Sequence, residues 1–195
     1  MAKGADTREQ ILLRAAYLFN VKGYSGVALS DVMEVTGLQK GGIYNHFESK
    51  EQLAVEAFEY AVSLIGERLR QALTGKTGAR ERLRAFLIFF EDYSRNPPVP
   101  GGCPIMNTAI EHDDGNPELR KRSRAAMERW RRFLLRTVEH GIESGELRRD
   151  IDPEQVATIL IATIEGSIMM SKLYRDHAHI DRALAHLKHY VEEAL

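Results

Sequence analysis

The segment Gln39-Lys40-Gly41-Gly42-Ile43-Tyr44-Asn45-His46-Phe47 holds the residues best suited to meeting a charged partner. Ile43 and Phe47 stand four apart, on one helical face, and are the two side chains there fitted for burial. Lys40, Tyr44, Asn45 and His46 carry polar tips instead, a mixture that suits phosphate oxygens and the edges of bases. The paired Gly41 and Gly42 each cost up to about 1 kcal/mol relative to alanine inside a helix, and less in its first turn. Close approach of the backbone to nucleic acid would offset that cost, because a first helical turn also offers free N–H groups to a phosphate.

Such a face needs elements that present it. Residues from about Leu29 to Thr36 form a second short helical segment, separated from one spanning about Gln39 to Phe47 only by Gly37 and Leu38. Helices this short are unstable alone in water, so both must lean on a longer one. A first helix is expected after Asp6 or Thr7, where Thr7 and Gln10 have capping-box spacing, and Gly23 ends it. Its apolar stripe is Ile11, Ala15, Leu18 and Phe19. Gly37 supplies the tight turn, since glycine accepts positive φ without strain. Two short helices joined at a glycine and propped on a third are the sequence image of a helix-turn-helix; an ordinary αα-corner is the alternative on topology alone.

Apolar residues recur at three- and four-residue spacing through most of the chain and strand signals are almost absent, so the expected fold is all-α with about nine helices. Ser49 with Gln52 marks the start of a fourth helix running to about Leu73, and Gly75 to Gly78 form a joint. A fifth helix carries Leu83 to Tyr93 and stops at the proline- and glycine-rich stretch from Asn96 to Gly102; Pro104 opens a sixth that ends near Gly115. Further helices span about Pro117 to Ser144, and Asp152-Pro153-Glu154-Gln155 to about Tyr174; the last begins near Ile180.

The 195 residues suffice for a buried core, and a net charge of −1 confines any nucleic-acid binding to a local surface. One cysteine forms no internal disulfide, and MAKGADTREQ lacks the apolar stretch of a secretory signal, so a cytoplasmic location is expected. Apolar runs such as Ala162 to Met170 are interrupted by Glu165, Gly166 and Ser167 and look too short for a bilayer, so no membrane partner is expected.

The run from Gly37 to Leu53 resembles the signature of the tetracycline-repressor (TetR) family: a glycine, a short linker, a Tyr-x-His-Phe core at Tyr44 to Phe47, and Ser-Lys-x-x-Leu at Ser49 to Leu53. Ile11, Ala15, Ala16, Leu18, Phe19, Gly23, Tyr24 and Val32 also stand where that family places its head core. The resemblance is strong over residues 7–58 and extends to the remainder in helix layout. It implies a three-helix DNA-binding head (residues 1–50) and a helical effector-binding and dimerisation body (residues 51–195). Tyr44, His46 and Lys50 would contact or align phosphates, and Gln39, Lys40, Gly41 and Gly42 would face base edges; Asn45 is counted with these DNA-binding residues for its polar tip. It further implies a homodimer through the last two helices, a palindromic operator on double-stranded DNA, and release by a small-molecule effector of unknown identity, with no cofactor. Two departures stand out. Ala28 replaces a capping threonine, weakening the second helix by about 1 kcal/mol unless Ser30 substitutes, and Gly42 replaces a larger side chain that could touch a base.

For the body, Phe86, Phe90, Tyr93, Met106, Asn107, Trp130 and Met170 are pocket candidates with Cys103, because aromatic and methionine groups with a few polar tips receive apolar effectors. Gly102-Cys103-Pro104-Ile105-Met106-Asn107 is similar to a GC-x-x-x-N element found in one TetR subgroup. Cys103, just before a helix start, is either an electrophile-sensitive thiol or a small buried residue. Apolar residues from Val156 to Met170 and from Leu184 to Val191 exceed what one bundle face needs, which allows either a dimer seam or burial within one subunit. Arg120 to Arg136 read as a solvated face, a second nucleic-acid surface or an anionic-effector site. His177, His179, His186 and His189 read as surface histidines rather than a metal site. No glycine-rich phosphate loop, carboxylate pair or nucleophile-histidine grouping suggests an enzyme, and a pure interaction module is the remaining alternative.

Overall fold

The computed structural model describes residues 2–195, with side chains from Asp6 onward. Nine helices and no strand occur among the described residues: α1 (Ala2–Lys22), α2 (Leu29–Thr36), α3 (Lys40–Tyr44), α4 (Lys50–Ala72), α5 (Ala79–Arg95), α6 (Pro104–Glu111), α7 (Pro117–Glu143), α8 (Pro153–Tyr174) and α9 (Ala178–Glu193). The all-α class is as the periodicity predicts. Contacts divide the chain into two compact units, residues 1–65 with 98–125, and residues 66–97 with 126–195.

Local signals explain most boundaries. Ser49 Oγ accepts from the Gln52 amide at 3.0 Å, while Gln52 Oε1 accepts from the Glu48 amide at 2.6 Å, which fixes the start of α4. Asn116 Oδ1 caps α7 through the amides of Glu118 and Leu119, and Asp152 caps α8 through Glu154. α1 begins earlier than expected, at Ala2, so Thr7 lies inside the helix. The α2 start is not rescued by Ser30. Asp31 Oδ2 accepts from the Ala28 amide at 2.7 Å, and Asp31 in turn pairs with Lys22 at 2.9 Å.

In the first unit, Ile11, Ala15, Leu18, Val27, Val32, Leu53, Ala57 and Val99 surround Ile43 and Phe47. The proline-rich loop joins this unit through Asn20, whose side-chain nitrogen donates to Pro100 O at 2.8 Å and Gly102 O at 3.1 Å. Asn107 completes the knot, donating to Asn20 Oδ1 at 2.9 Å and Gly101 O at 2.9 Å. Gly101, at φ 116°, fits because a Cβ there would lie 2.8 Å from Asn20 O. From the C-terminal end of α6, the Glu111 carboxylate accepts from the amides of Tyr24 (2.8 Å) and Ser25 (2.9 Å) in the α1–α2 turn.

The second unit packs α5 and α8 on α9. Phe86, Phe89, Phe90, Tyr93 and Trp130 fill its interior, with ring centroids 5.0 Å apart for Phe86–Phe90 and 5.2 Å for Phe90–Trp130. Ion pairs tie α5 to α9: Arg95–Asp181 at 2.7 Å and Lys188–Glu91 at 2.6 Å. One expectation is corrected here. α8 as a whole is 22 residues and apolar enough by length and composition to cross a membrane, because Glu165 and Ser167 interrupt the apolar run without lowering its average enough. Its apolarity has a use within the fold, since Val156, Ala157, Leu160, Ile164 and Ile168 are buried in the second unit.

Burial acts to raise the Glu111 carboxyl, but the amides of Ser25 and Tyr24 outweigh it and hold the group below its ordinary value of 4.5. Since the folded value is the depressed one, the contribution to stability is complete above the ordinary range and is lost as pH falls through the folded value. Glu111→Gln is expected to cost about 1 kcal/mol at neutral pH, below the roughly 1.5–3 kcal/mol of hydrogen bonds to charged groups because water screens a partly exposed carboxylate. Urea unfolding at several pH values should also show a shallower loss of stability below pH 4.5 in the variant.

Candidate nucleic-acid interface

α3 is shorter than the sequence suggests, five helical residues with Gln39 before it and Asn45 after it. The glycines at its start and the tightened bond from the His46 amide to Ile43 O (3.0 Å) explain the early end, although Phe47 still donates to Ile43 O at 3.2 Å. Gly37 stands in the left-handed region at φ 70° and its amide closes α2 on Met33 O at 2.9 Å. That turn aims α3 so that Ile43 and Phe47, each 1% exposed, enter the core, as expected from their spacing. Arg8 covers the far side of the Phe47 ring at 4.9 Å while pairing with Glu56.

The opposite face is open. Gln39, Lys40, Gly41, Tyr44 and Asn45 are exposed, and Gly42, His46 and Lys50 are half-buried at its edge. Lys40 Nζ lies 5.7 Å from the centre of the Tyr44 ring, so the cation and the phenol form one patch. Lys50 has a second task that the sequence does not reveal: its Nζ donates to Tyr24 O at 2.8 Å and sits 4.3 Å from the Tyr24 ring. Lys50 and Glu111 therefore grip the same α1–α2 turn, one on a carbonyl and one on two amides. No sequence signal links residues 24, 50 and 111; the link exists only in the folded chain.

The two glycines are not required by the chain's own packing. A Cβ at Gly41 would meet nothing within 4 Å, and one at Gly42 would make ordinary contact with Leu38 at 3.5 Å. Their helix cost is thus unexplained within the molecule and is consistent with a surface kept low for a partner's approach.

The pocket candidates of the sequence separate. Phe86, Phe90, Tyr93 and Trp130 are buried together in the second unit, and Met170 is exposed on α8, 40% accessible. Cys103, Met106 and Asn107 belong to the first unit, where Cys103 precedes α6, fully buried, and Asn107 holds the loop. Among the described residues no three histidine, cysteine or acidic side chains form a group that could hold a metal ion.

A helix-turn-helix with this exposed face defines a DNA-binding transcriptional regulator. Residues 11–57 match the family described as bacterial regulatory proteins, tetR family, and residues 79–187 match the tetracyclin repressor-like C-terminal domain. The chain belongs to the TetR family. A TetR transcriptional regulator from Chloroflexus aurantiacus J-10-FL is similar at 47% identity, with a TM-score of 0.95 over 99% of this chain and 98% of that one. The transcriptional repressor DhaR of Mycobacterium sp. (strain GP1) is 29% identical over 91% of this chain and 88% of its own. A cysteine mutant of the TetR-family regulator CifR, solved with 26-bp double-strand operator DNA, is 29% identical, with a TM-score of 0.76 over 91% of this chain and 95% of that one.

Gly41→Ala is expected to stabilise the protein by up to about 1 kcal/mol, since the added methyl meets open space and favours helix. The same change should weaken DNA binding several-fold. Thermal melting and fluorescence anisotropy on one preparation would show the two effects diverging.

Proposed function

We propose that the chain is a homodimeric repressor that holds a palindromic operator through α3 and is released by a small-molecule effector bound in its body. The carrying observation is the division of α3 itself, with Ile43 and Phe47 locked inside while Gln39, Lys40, Gly41, Tyr44 and Asn45 face solvent. Gln39, Lys40, Gly41 and Gly42 are assigned to base edges, and Tyr44, His46 and Lys50 to phosphates, with Asn45 between them. Functionally the chain divides into a DNA-binding head, residues 1–50, and a body, residues 51–195. The work is regulation rather than catalysis, and it takes place in the cytoplasm.

Dimerisation rests on a second apolar face of α8. Ile159, Ala162, Gly166, Met169, Met170 and Leu173 follow helical spacing on the side away from the buried residues, and Leu173 is 70% exposed. Met170 thereby moves from the effector pocket to the dimer seam. Two heads related by a two-fold axis require operator half-sites on one face of the duplex, centres roughly 34 Å or more apart. The effector is assigned to the aromatic interior of Phe86, Phe90, Tyr93 and Trp130, where binding would require these rings to repack. The operator of CifR and the repressor role of DhaR support this reading.

Selection of genomic fragments by the purified protein is expected to return a palindrome bound in a salt-sensitive way. Lys50→Ala should weaken all sequences alike, whereas Gln39→Ala or Lys40→Ala should change which base is preferred. Recovery of no sequence above random DNA would overturn the reading. Met170→Glu is expected to convert dimer to monomer in sedimentation velocity, because it places a charge in a desolvated apolar seam.

A further inference from the structure

The arginines of α7 sort into two groups. Arg122 is paired with Glu118 and Glu59 at 2.6 Å each, and Arg131 bridges Glu128 and Glu154, so these serve the fold's own surface. Arg129, Arg132, Arg136 and His140 lie three or four residues apart along a different face of α7 and open onto one cavity of about 650 Å³ in the second unit. Lys76 and Arg82 line it from the α4–α5 joint and from α5. Among the described residues no acidic side chain lines the cavity. Lys76 pairs with Glu81 at 3.1 Å, whereas Arg82, Arg132 and Arg136 form no ion pair among the described residues. Arg82 is held in place by its bond to Lys76 O at 3.2 Å and by the Phe133 ring 5.2 Å away, and Arg132 by Glu128 O at 3.3 Å.

Like charges at helical spacing repel, and a concave wall concentrates that repulsion. An arrangement that keeps Arg82, Arg132 and Arg136 together without internal counter-charges is suited to a ligand that brings the negative charge. We propose that this cavity binds a small organic molecule carrying at least two phosphate or carboxylate groups, with Arg132 and Arg136 taking one anionic group and Arg82 with Lys76 the other. The volume falls in the usual small-ligand range of roughly 300–1,000 Å³. Planar guanidinium forks on two helices match oxyanion pairs, and the Phe133 ring beside Arg82 offers an apolar flank to the ligand's carbon frame. The site lies in the unit that lacks the helix-turn-helix, and the proposal goes beyond the regulatory reading without depending on it.

Isothermal titration of the full-length protein with inorganic pyrophosphate and with citrate, at about 150 mM salt, tests the site directly and without DNA. One saturable site per chain is expected, for one or both probes. The exposed pair Arg132→Ala with Arg136→Ala should lower that affinity at least about tenfold, and the corresponding lysine pair should retain part of it. Arg122→Ala, on the same helix but outside the cavity, should bind as the parent does. Equal melting of parent and variants by circular dichroism would exclude an unfolding effect; should the alanine pair fail to fold, Arg136→Gln alone carries the same expectation. Absence of saturable binding for both probes, or equal affinity in parent and double variant, overturns the proposal. So does binding of heparin or random-sequence DNA through the same arginines without pyrophosphate or citrate, which would make the face a nucleic-acid surface.

Discussion

Burial of Ile43 and Phe47 is the constraint on which the head depends. A five-residue helix has too few internal hydrogen bonds to persist in water, so α3 exists because its Ile43 and the Phe47 just after it fill a space left by α1, α2 and the start of α4. That anchoring also sets the helix's rotation. With two side chains four apart fixed inward, Lys40, Tyr44 and Asn45 have no direction but outward. The exposure of these polar groups is thus a by-product of core packing, and the glycines at positions 41 and 42 leave the backbone itself uncovered beside them.

Around this centre the head is tied down by polar contacts across long stretches of chain. Lys50 holds the carbonyl and Glu111 the amide of the same residue, Tyr24. Any shift of α6 is therefore felt at the turn that orients α2, without passing through an apolar interface. The first unit accordingly includes residues 98–125 as well as the helix-turn-helix. In the second unit the large aromatic side chains serve as filling, and the cationic residues of α7 divide between surface pairing and a shared cavity.

What could be read from the sequence was what short-range chemistry dictates. The Gly37 end of α2, the Ser49 start of α4, the Pro104 start of α6 and the Asp152-Pro153 start of α8 follow from caps and prolines within a few residues. The inward pair of α3 follows from spacing. What could not be read depended on distant partners. Asn107 looked like a polar group for a ligand, yet its amide is engaged 87 residues away at Asn20. Asp31 rather than Ser30 compensates for Ala28, because Lys22 and the α2 amide both favour its charge. The arginines of α7 are indistinguishable in sequence, and only their neighbours on other helices separate paired from cavity-facing members.

The knot between Asn20, Gly101 and Asn107 also bears on how such proteins can be recombined. Asn20 lies in α1, the helix on which α2 packs, whereas its partners lie some eighty residues downstream, in sequence that a chimera designer would assign to the other half. A graft made at residue 50 between two relatives would pair an α1 from one parent with a loop shaped for the other. Exchange of operator specificity therefore requires the segment from Pro98 to Glu111 to travel with the head.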